Sequence, residues 1–420
     1  MAKFLIKGER ELKGEVRVKG AKNAALKIIA ASLLAESPCL IKNVPRISDI
    51  ETLLEILKGI GVKFEFKENT LWIDASSIHS TSLDDAGMKK LRGSIVLAGP
   101  LLARFGKVSF SQPGGCLIGS RPIDDHLDVF EQMKVKIEYE DEKFFLSGKP
   151  QAAHIVLEKM SVTATENAMM AAVLTSGTTI IHVAAAEPEI KDLADFLNKM
   201  GAKIKGAGTH EIEIEGVEKL KGVEHQVLPD RIEAGTYIIA GILTNSEIVV
   251  GPIIPCHSDL FLKKLKKAKA NFRIEEKEGQ SYLRTLKRGK LLAQNIDARP
   301  YPGFPTDLQP QYAVLMTQAE GRSEIFDTMF DGRFRYLEEL KIMKADVEIL
   351  NPNRFIVNGP SQLKGAEVSS LDIRGGAAVV LAALAARGET LIHNVEFIDR
   401  GYEAIDLRLK ELGAAIERIG

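Results

Sequence analysis

A local sequence pattern recurs six times along this chain of 420 residues, at a mean spacing of about 70 residues. In each copy a helix-like segment ends in a small or polar residue, and a small residue and a β-like pair follow. The six copies lie at residues 61–64, 134–137, 201–204, 269–272, 344–347 and 413–416. Six units of this length account for the whole chain, so the pattern indicates internal duplication.

A second marker recurs in phase with the first: an alanine-rich helical segment that leads into a short β-like segment. Examples are residues 24–35 leading into 39–43, 167–174 into 178–182, and 375–386 into 390–393. In the first unit, hydrophobic periodicity predicts strands at 15–19, 39–43, 62–66 and 70–73 and helices at 24–35 and 47–58. The order is βαβαββ.

The alanine-rich segments are apolar on every face, which is typical of helices buried in the middle of a closed unit. We therefore expect an α/β protein with two globular domains of three units each. A single six-unit solenoid that serves as a protein-binding scaffold is the alternative that the repeat leaves open.

The charge balance and the cysteine count limit the classes of function. Lys and Arg (56) nearly equal Asp and Glu (57), so no net positive field favours nucleic acid or an anionic membrane. Cys39, Cys116 and Cys256 are too few and too scattered for a disulfide framework or a zinc site. The longest apolar run, 375–386, has 12 residues, whereas a membrane-spanning helix needs about 20. We expect a cytoplasmic protein without a signal peptide.

Charged and polar residues recur where each unit would place the carboxyl ends of its parallel strands. In a βαβ crossover, the loop into the first helix and the loop after the second strand share this edge. The residues are Lys22, Asn23, Arg92, Ser161, Thr163, Asp230, Arg231, Asp307, Asp372 and Arg374 before the helices, and 116–121, 187–189, Arg333, Asp399 and Arg400 after the strands. Basic groups beside helix N-termini predict sites for anions.

Residues 113–122 (PGGCLIGSRP) contain the strongest candidate for chemistry. Cys116 follows two glycines, and Arg121 comes five positions later. A glycine-rich backbone lets a thiol approach a substrate closely, and a neighbouring guanidinium favours its thiolate form. A small residue in a tight turn is the plain alternative for a single cysteine in such a loop.

The chain resembles the UDP-N-acetylglucosamine 1-carboxyvinyltransferases, a family of enolpyruvyl transferases, along its whole length. The motifs that carry the resemblance are GAKNAA at 20–25, LRGS at 91–94, PGGCLIGSRP at 113–122, EPEI at 187–190, LPDRIE at 228–233, FPTD at 304–307 and IDRGY at 398–402. The resemblance implies two inside-out α/β domains, each of three βαβαββ units with pseudo-threefold symmetry, buried helices and a cleft between the domains. It places one domain at 22–230 and the other at 1–21 plus 231–420, with crossovers near 21–22 and 230–231.

The reaction implied is transfer of the enolpyruvyl group of phosphoenolpyruvate to the 3′-hydroxyl of UDP-N-acetylglucosamine, with release of phosphate and without a metal or organic cofactor. By resemblance Cys116 is the general acid, Asp307 the base at the sugar hydroxyl, and Lys22, Arg121 and Arg400 the phosphoenolpyruvate clamp. The remaining substrate-binding residues implied are Asn23, Arg92, Pro122, Ile123, Asp124 and Asp125 (with Arg121 the uridine segment), Lys159, Met160, Ser161 and Val162 (the diphosphate segment), Met329, Arg333, Asp372 and Arg374. No protein partner is implied.

Two positions depart from the family's pattern near the substrate segments. Thr163 stands where the family usually has glycine, and Ala186 replaces the basic residue that commonly precedes EPEI. We expect altered affinity for the nucleotide sugar rather than lost activity, unless Thr163 obstructs the diphosphate. Two other functions stay open: the sister enzyme that acts on shikimate phosphate, and a catalytically inactive paralogue that binds a nucleotide sugar.

Overall fold

The computed structural model describes residues 2–114, 122–287, 289–330 and 332–420. These residues form two compact units, which we call unit A and unit B. Unit A contains residues 20–114 and 122–228, and unit B contains residues 2–19 and 229–420 within the described ranges. Helices and strands alternate in both units, so the expected α/β class is confirmed.

Unit A contains three small sheets, and two of them combine one parallel pair with an antiparallel hairpin. In spatial order these two are Glu224–Gln226, Cys39–Lys42, Thr70–Asp74 and Lys63–Lys67, then His154–Val156, Thr178–His182, Glu211–Glu215 and Lys203–Lys205. The third consists of Lys107–Ser111, Lys143–Ser147 and Lys136–Glu140. In place of a parallel strand, this sheet has a single parallel bridge between Ser82 and Ser109.

Unit B repeats the same arrangement in three further sheets. They are Lys13–Arg17, Glu247–Ile253, Gln280–Thr285 and Phe272–Lys277; then Leu291–Leu292 with Ile296–Ala298, Ala319–Asp327, Arg354–Gly359 and Asp346–Asn351; and Glu367–Ser369, Glu389–His393, Lys3–Lys7 and Ala415–Ile419. Each begins with a parallel pairing and ends in an antiparallel pair, which is a hairpin in the first two sheets and joins the first and last strands of the unit in the third. The six sheets of the two units correspond to the six sequence repeats.

The strand composition of the first predicted repeat is wrong. The segment predicted at 15–19 forms Lys13–Arg17, which pairs in parallel with Glu247–Ile253 in unit B and not with Cys39–Lys42. Its place beside Cys39–Lys42 is taken by Glu224–Gln226 from the far end of unit A. Unit A therefore closes on its own last strand, and Lys3–Lys7 in the same way completes the last sheet of unit B.

The recurring sequence pattern marks one type of helix end. The first residue of all six copies has a positive φ, between 62° and 112°; these residues are Gly61, Lys134, Gly201, Lys269, Lys344 and Gly413. In each copy the next residue donates its N–H to a carbonyl five positions earlier, as Val62 does to Leu57 at 3.1 Å and Ala345 to Leu340 at 2.9 Å. These are Schellman motifs, which satisfy the last carbonyls of a helix and turn the chain into the following strand.

The helices carry most of the two hydrophobic cores, one in each unit. Unit A has Lys22–Ala31, Ser48–Gly59, Asp85–Lys90, Ala98–Phe105, Asp124–Gln132, Val162–Ala172 and Pro188–Met200, with 3₁₀ turns Ser32–Leu34 and Arg92–Leu97. Unit B has Arg231–Leu243, Asp259–Lys267, Gln309–Met316, Tyr336–Ile342, Ile373–Ala385, Glu396–Asp399 and Ile405–Glu411, with 3₁₀ turns Pro255–Ser258 and Thr306–Leu308. In the described part of the chain, no helix has the length and apolarity required to cross a bilayer.

The alanine-rich helices are buried on nearly all sides, as their composition predicts. All residues of Lys22–Ala31 except Asn23 are buried, and in Ile373–Ala385 all except Ala385. Small side chains let neighbouring helix backbones approach closely. A Cβ on Gly99, for example, would lie 2.6 Å from the backbone oxygen of Asn167 on Val162–Ala172. Polar side chains that begin such helices are consequently held at the rim of a rigid core.

Candidate active site

The structure places the predicted site residues in two groups, one in each unit. In unit A, Lys22 is the first residue of the buried helix Lys22–Ala31. Its Nζ lies 2.7 Å from Oδ2 of Asp49, which belongs to the first turn of Ser48–Gly59. Both side chains are less than a tenth exposed. A buried ion pair of this kind fixes the position of the ammonium group of Lys22. Asn23 follows on the same helix and is half-buried.

Arg92 connects the two sides of the segment that contains Cys116. Its Nη1 donates to the carbonyl oxygen of Pro113 at 3.0 Å, and its Nη2 donates to that of Pro122 at 2.8 Å. Cys116 and Arg121 themselves lie outside the described residues, so their predicted roles stay predictions. One planar guanidinium thus ties residues 113 and 122 together, and Arg92 holds the base of the cysteine segment.

Gly114 shows how closely this segment is packed at its start. Its N–H donates to the carbonyl of Met88 at 3.0 Å, and a Cβ at this position would lie 2.0 Å from the carbonyl oxygen of Lys89. Only glycine fits so near another backbone without displacement. The glycine therefore has a packing reason that is separate from any freedom of the loop.

The predicted uridine and diphosphate segments are neighbours in unit A. The helix Asp124–Gln132 begins within the uridine segment. The helix Val162–Ala172, with Ser161 at its N-cap, begins at the end of the diphosphate segment. Lys159 Nζ lies 3.1 Å from Asp125 Oδ2 across the two segments. Pro122 and Asp124 are exposed, Ile123 is buried, and Met160, Ser161 and Val162 are half-buried. Two helix N-termini and one lysine are thus brought together.

In unit B, Asp307 lies between two arginines. Arg333 Nη2 is 2.6 Å from Asp307 Oδ1, and Arg374 contacts Asp307 Oδ2 through Nη2 at 3.0 Å and through Nε at 3.1 Å. Both arginine side chains are almost fully buried, at 2% and 5% exposure, whereas that of Asp307 is 26% exposed. The carboxylate is therefore the member of this cluster that a substrate reaches first.

The two arginines control the ionisation of Asp307. Burial by itself raises the pKa of this carboxyl, but the charges of Arg374 and Arg333 and their hydrogen bonds outweigh burial. The pKa of Asp307 consequently lies well below its ordinary value. In return, Asp307 raises the pKa of both guanidinium groups, although their burial opposes this. At neutral pH, Asp307 is an ionised acceptor.

Asp327 joins Met329 to the turn that carries Asp307. Its Oδ1 accepts the N–H of Met329 at 2.9 Å, and its Oδ2 accepts the hydroxyl of Thr306 at 2.7 Å. Asp327 is fully buried, and burial raises its pKa despite the hydrogen bond from Thr306. The backbone at Met329, predicted to meet the sugar, is in this way connected to the residue next to Asp307.

Asp372 and residues 400–402 support Arg374. The carboxylate of Asp372 caps the helix Ile373–Ala385 by accepting the N–H groups of Arg374 and Gly375, both at 2.9 Å. A Cβ on Gly401 would lie 3.7 Å from Nη1 of Arg374, and the ring of Tyr402 is 5.4 Å from its Cζ. Arg400 is half-buried and directly precedes these two residues. The contacts to Arg374 are thus made by the two residues that follow Arg400, and the predicted role of Arg400 itself stays a prediction.

Two acidic residues of these sites were missed by sequence reasoning. Asp49 looks like an ordinary acidic residue in the first turn of a helix, and Asp327 looks like the last residue of a strand. The sequence carries no local signal for either. Only the packing of helices Lys22–Ala31 and Ser48–Gly59 pairs Asp49 with a lysine, and only the turn at Thr306 gives Asp327 its second partner.

The two groups of side chains match one type of chemistry. Lys22, Arg333 and Arg374 are buried cations beside carboxylates, which suits the binding of small anions. Asp307 is ionised and can accept a hydroxyl proton. Within the described ranges, no three His, Cys, Asp or Glu side chains are grouped as metal ligands.

Comparison with protein families agrees with this reading. Residues 6–409 match the model of the family described as EPSP synthase (3-phosphoshikimate 1-carboxyvinyltransferase). A UDP-N-acetylglucosamine 1-carboxyvinyltransferase from Halothermothrix orenii is 45% identical over 420 residues, which cover both chains completely. A relative from Carboxydothermus hydrogenoformans, UDP-N-acetylglucosamine 1-carboxyvinyltransferase 2, is 46% identical over 421 residues and is also covered completely.

Solved structures show the same fold. The enolpyruvyl transferase NikO from Streptomyces tendae has a TM-score of 0.88 at 25% identity, with 99% of this chain and 98% of that chain covered. An EPSP synthase from Acinetobacter baumannii has a TM-score of 0.78 at 18% identity over the full length of both, which supports the fold alone. The chain therefore belongs to the enolpyruvyl transferase family, and its resemblance to the UDP-N-acetylglucosamine 1-carboxyvinyltransferases is confirmed.

Proposed function

We propose that this protein transfers the enolpyruvyl group of phosphoenolpyruvate to the 3′-hydroxyl of UDP-N-acetylglucosamine and releases phosphate, as the first committed step of peptidoglycan synthesis. The observation that carries the proposal is the identity of about 45% over the whole chain to transferases of that name. The charged clusters at Lys22 and Asp307 support it, because both substrates are anions and one must lose a hydroxyl proton.

The proposed reaction has an addition step and an elimination step. In the addition, the thiol of Cys116 protonates the methylene carbon of phosphoenolpyruvate, the sugar hydroxyl attacks the neighbouring carbon, and the hydroxyl proton passes to Asp307. In the elimination, the new methyl group returns a proton to the Cys116 thiolate while the carbon–oxygen bond to phosphate breaks, and the departing phosphate takes up the proton that Asp307 accepted. Because Asp307 has a low pKa and is a weak base, it accepts the proton only as the hydroxyl bonds to the cationic carbon and becomes acidic.

The other proposed roles are electrostatic and positional. Lys22, Arg121 and Arg400 bind phosphoenolpyruvate, with Lys22 supported by its ion pair with Asp49. Residues 121–125 bind uridine and residues 159–162 bind the diphosphate, which the contact between Lys159 and Asp125 supports. Asn23, Arg92, Met329, Arg333, Asp372 and Arg374 complete the substrate-binding set.

We further propose that units A and B are the two domains, at 22–230 and at 1–21 plus 231–420, and that residues of both serve the same reaction. The division of the described residues near 19–20 and 228–229 supports these boundaries. We propose a cytoplasmic enzyme that acts on small molecules without a required protein, nucleic-acid or membrane partner.

Phosphate release from phosphoenolpyruvate tests the proposal. The protein should release phosphate with UDP-N-acetylglucosamine and not with shikimate 3-phosphate, and Cys116→Ala should abolish release near neutral pH. Cys39→Ala and Cys256→Ala are the matched controls, since Cys39 is buried and Cys256 is exposed far along the chain. Release with shikimate 3-phosphate alone would instead favour the activity after which the family model is named.

A further inference from the structure

The side chain of Thr163 ends a chain of hydrogen bonds that starts in the core of unit A. Gly99 donates its N–H to Oδ1 of Asn167 at 2.9 Å. Asn167 Nδ2 contacts Nδ1 of His126 at 2.8 Å and donates to the carbonyl of Ile95 at 3.0 Å. His126 Nε2 in turn lies 3.1 Å from Oγ1 of Thr163. His126 and Asn167 are buried, whereas Thr163 is half-buried at the start of Val162–Ala172.

Backbone donors and acceptors fix the direction of every bond in this chain. Because a backbone N–H can only donate, the atom of Asn167 that faces Gly99 must be the amide oxygen. The nitrogen that faces His126 therefore carries hydrogens, and Nδ1 of His126 must accept. The imidazole is then neutral, with its hydrogen on Nε2, and it donates to Thr163 Oγ1.

The hydroxyl hydrogen of Thr163 is left for another acceptor. Threonine has one O–H donor, and its oxygen already accepts from His126. Among the described residues, the structure gives that hydrogen no acceptor. Thr163 occupies the second position of the helix, where the N–H groups of Val162, Thr163 and Ala164 lack partners within the helix. The hydroxyl adds a directed donor to this group.

We propose that Thr163 is a specificity-determining residue for the nucleotide sugar: its hydroxyl donates to a diphosphate oxygen, and Asn167 and His126 fix the direction of that bond. The inference rests on the proposed function, which assigns residues 159–162 to the diphosphate. It gives the expected change in affinity a direction, because a hydroxyl that donates to the diphosphate strengthens binding where an obstructing side chain would weaken it. An oxygen without a hydrogen is preferred at this point, as in an ionised diphosphate.

Calorimetric binding of UDP-N-acetylglucosamine and of UDP tests the proposal. A hydrogen bond to a charged group contributes roughly 1.5–3 kcal/mol, and about 1.4 kcal/mol corresponds to tenfold in affinity. Thr163→Val and Thr163→Ala should therefore weaken both ligands about tenfold or more, whereas Thr163→Ser should stay within about threefold. Thr175→Val is the control near the other end of the same helix. It removes a hydroxyl that donates to the carbonyl oxygen of Ala171, and it should leave binding of both ligands unchanged.

The outcomes separate the inference from the proposed function. Tighter binding by Thr163→Ala would show that the side chain obstructs the diphosphate and would overturn the inference alone, as would unchanged binding by Thr163→Val. Nitrogen-15 NMR of His126 should show an unprotonated Nδ1 and a protonated Nε2, and the reverse tautomer would also overturn it. If the wild-type protein binds neither nucleotide, the proposed function fails together with the inference.

Discussion

Arg333 donates a 2.6 Å hydrogen bond from Nη2 to Oδ1 of Asp307, and the same nitrogen also donates to the carbonyl of Thr306 at 2.9 Å. Arg374 holds the second carboxylate oxygen of Asp307. The position and the ionisation of Asp307 are thus set by two buried guanidinium groups. Removal of the Asp307 charge would leave both of them without their shared anion.

Asp307→Asn should lower turnover with a smaller effect on nucleotide binding. Loss of a positioned general base costs about 10²- to 10⁴-fold in kcat. Unpairing the buried arginines should also lower the free energy of unfolding by about 3–5 kcal/mol. Asp406→Asn is a matched control, because Asp406 accepts from Arg418 at 3.0 Å in the same unit. Equal losses of kcat in the two variants would contradict a role of Asp307 in the reaction.

Arg92→Lys should impair the reactivity of Cys116. A lysine ammonium cannot reproduce the planar fork that reaches the carbonyls of Pro113 and Pro122. We expect kcat and the rate of Cys116 alkylation by an epoxide to fall about tenfold, as for the loss of a charge-assisted hydrogen bond of about 1.5 kcal/mol. Peptide mass spectrometry measures the alkylation.

Arg104→Lys is the control for this variant, since Arg104 also bridges two carbonyl oxygens, those of Leu33 and Ala75. It should lower stability to a similar extent without altering Cys116 labelling. Alkylation of Cys116 that is insensitive to Arg92→Lys would contradict the assigned role of Arg92.

Asp49→Asn should raise KM for phosphoenolpyruvate and leave the affinity for UDP-N-acetylglucosamine unchanged. The carboxylate that fixes Lys22 Nζ at 2.7 Å would be lost. We expect a rise of about tenfold, the equivalent of roughly 1.4 kcal/mol in binding. Steady-state kinetics with each substrate varied in turn measures the split. An equal change in both KM values would show that Asp49 acts on the fold of unit A in general.

Glu166 predicts how stability depends on pH. It is buried against Lys27, with 3.3 Å between Lys27 Nζ and Glu166 Oε2, and burial raises the pKa of Glu166 to about 8. Between the unfolded pKa of about 4.5 and about 8, the folded state holds a proton that the unfolded state has lost. The stability that Glu166 contributes is therefore fully present below pH 4.5 and is lost as the pH rises through about 8.

Glu166→Gln imitates the protonated form, so it should flatten this slope and raise the free energy of unfolding at pH 8 by an amount on the order of 1–3 kcal/mol. Denaturant unfolding at pH 5 and pH 8 measures both effects. A slope that the substitution leaves unaltered would mean that Glu166 is already ionised in the folded protein.

The Schellman motifs predict where glycine stabilises the fold. Lys269 and Lys344 have φ of 62° and 71°, a region that costs roughly 1–2 kcal/mol for residues with a Cβ. Lys269→Gly and Lys344→Gly should each raise stability by about 0.5–1 kcal/mol. Lys263→Gly, inside the helix Asp259–Lys267, should instead lower it by about 1 kcal/mol. Thermal unfolding measures the stability of each variant. A loss of stability in Lys344→Gly would contradict the assignment of Lys344 to a Schellman motif.

The repeat was readable from the sequence because its marker is local. Each copy of the pattern lies at the C-terminal end of a helix. There a residue with positive φ, such as Gly61 or Lys344, precedes a strand. The buried helices were also readable, since alanine-rich segments leave no polar face. The resemblance supplied the candidate residues, and for Asp307 with Arg374 and for Lys159 with Asp125 the structure brings them into contact.

The sequence did not predict which sheet a strand joins or which second residue a site side chain contacts, because both depend on tertiary packing. The sequence of Lys13–Arg17 predicts a strand but does not depend on which strand it pairs with. It therefore does not exclude Cys39–Lys42 as the neighbouring strand. The hydrogen-bond chain from Gly99 through His126 joins residues from three helices. Local periodicity contains no information on such a chain.

The fate of the carbon atoms of phosphoenolpyruvate tests the account most directly. With carbon-13-labelled phosphoenolpyruvate and UDP-N-acetylglucosamine, we predict that mass spectrometry finds the label on the nucleotide sugar in the same amount as the phosphate released. NMR of that product should place it as an enol ether on the 3′-oxygen. Label that appears only in pyruvate, with the nucleotide sugar unmodified, would show hydrolysis and contradict enolpyruvyl transfer.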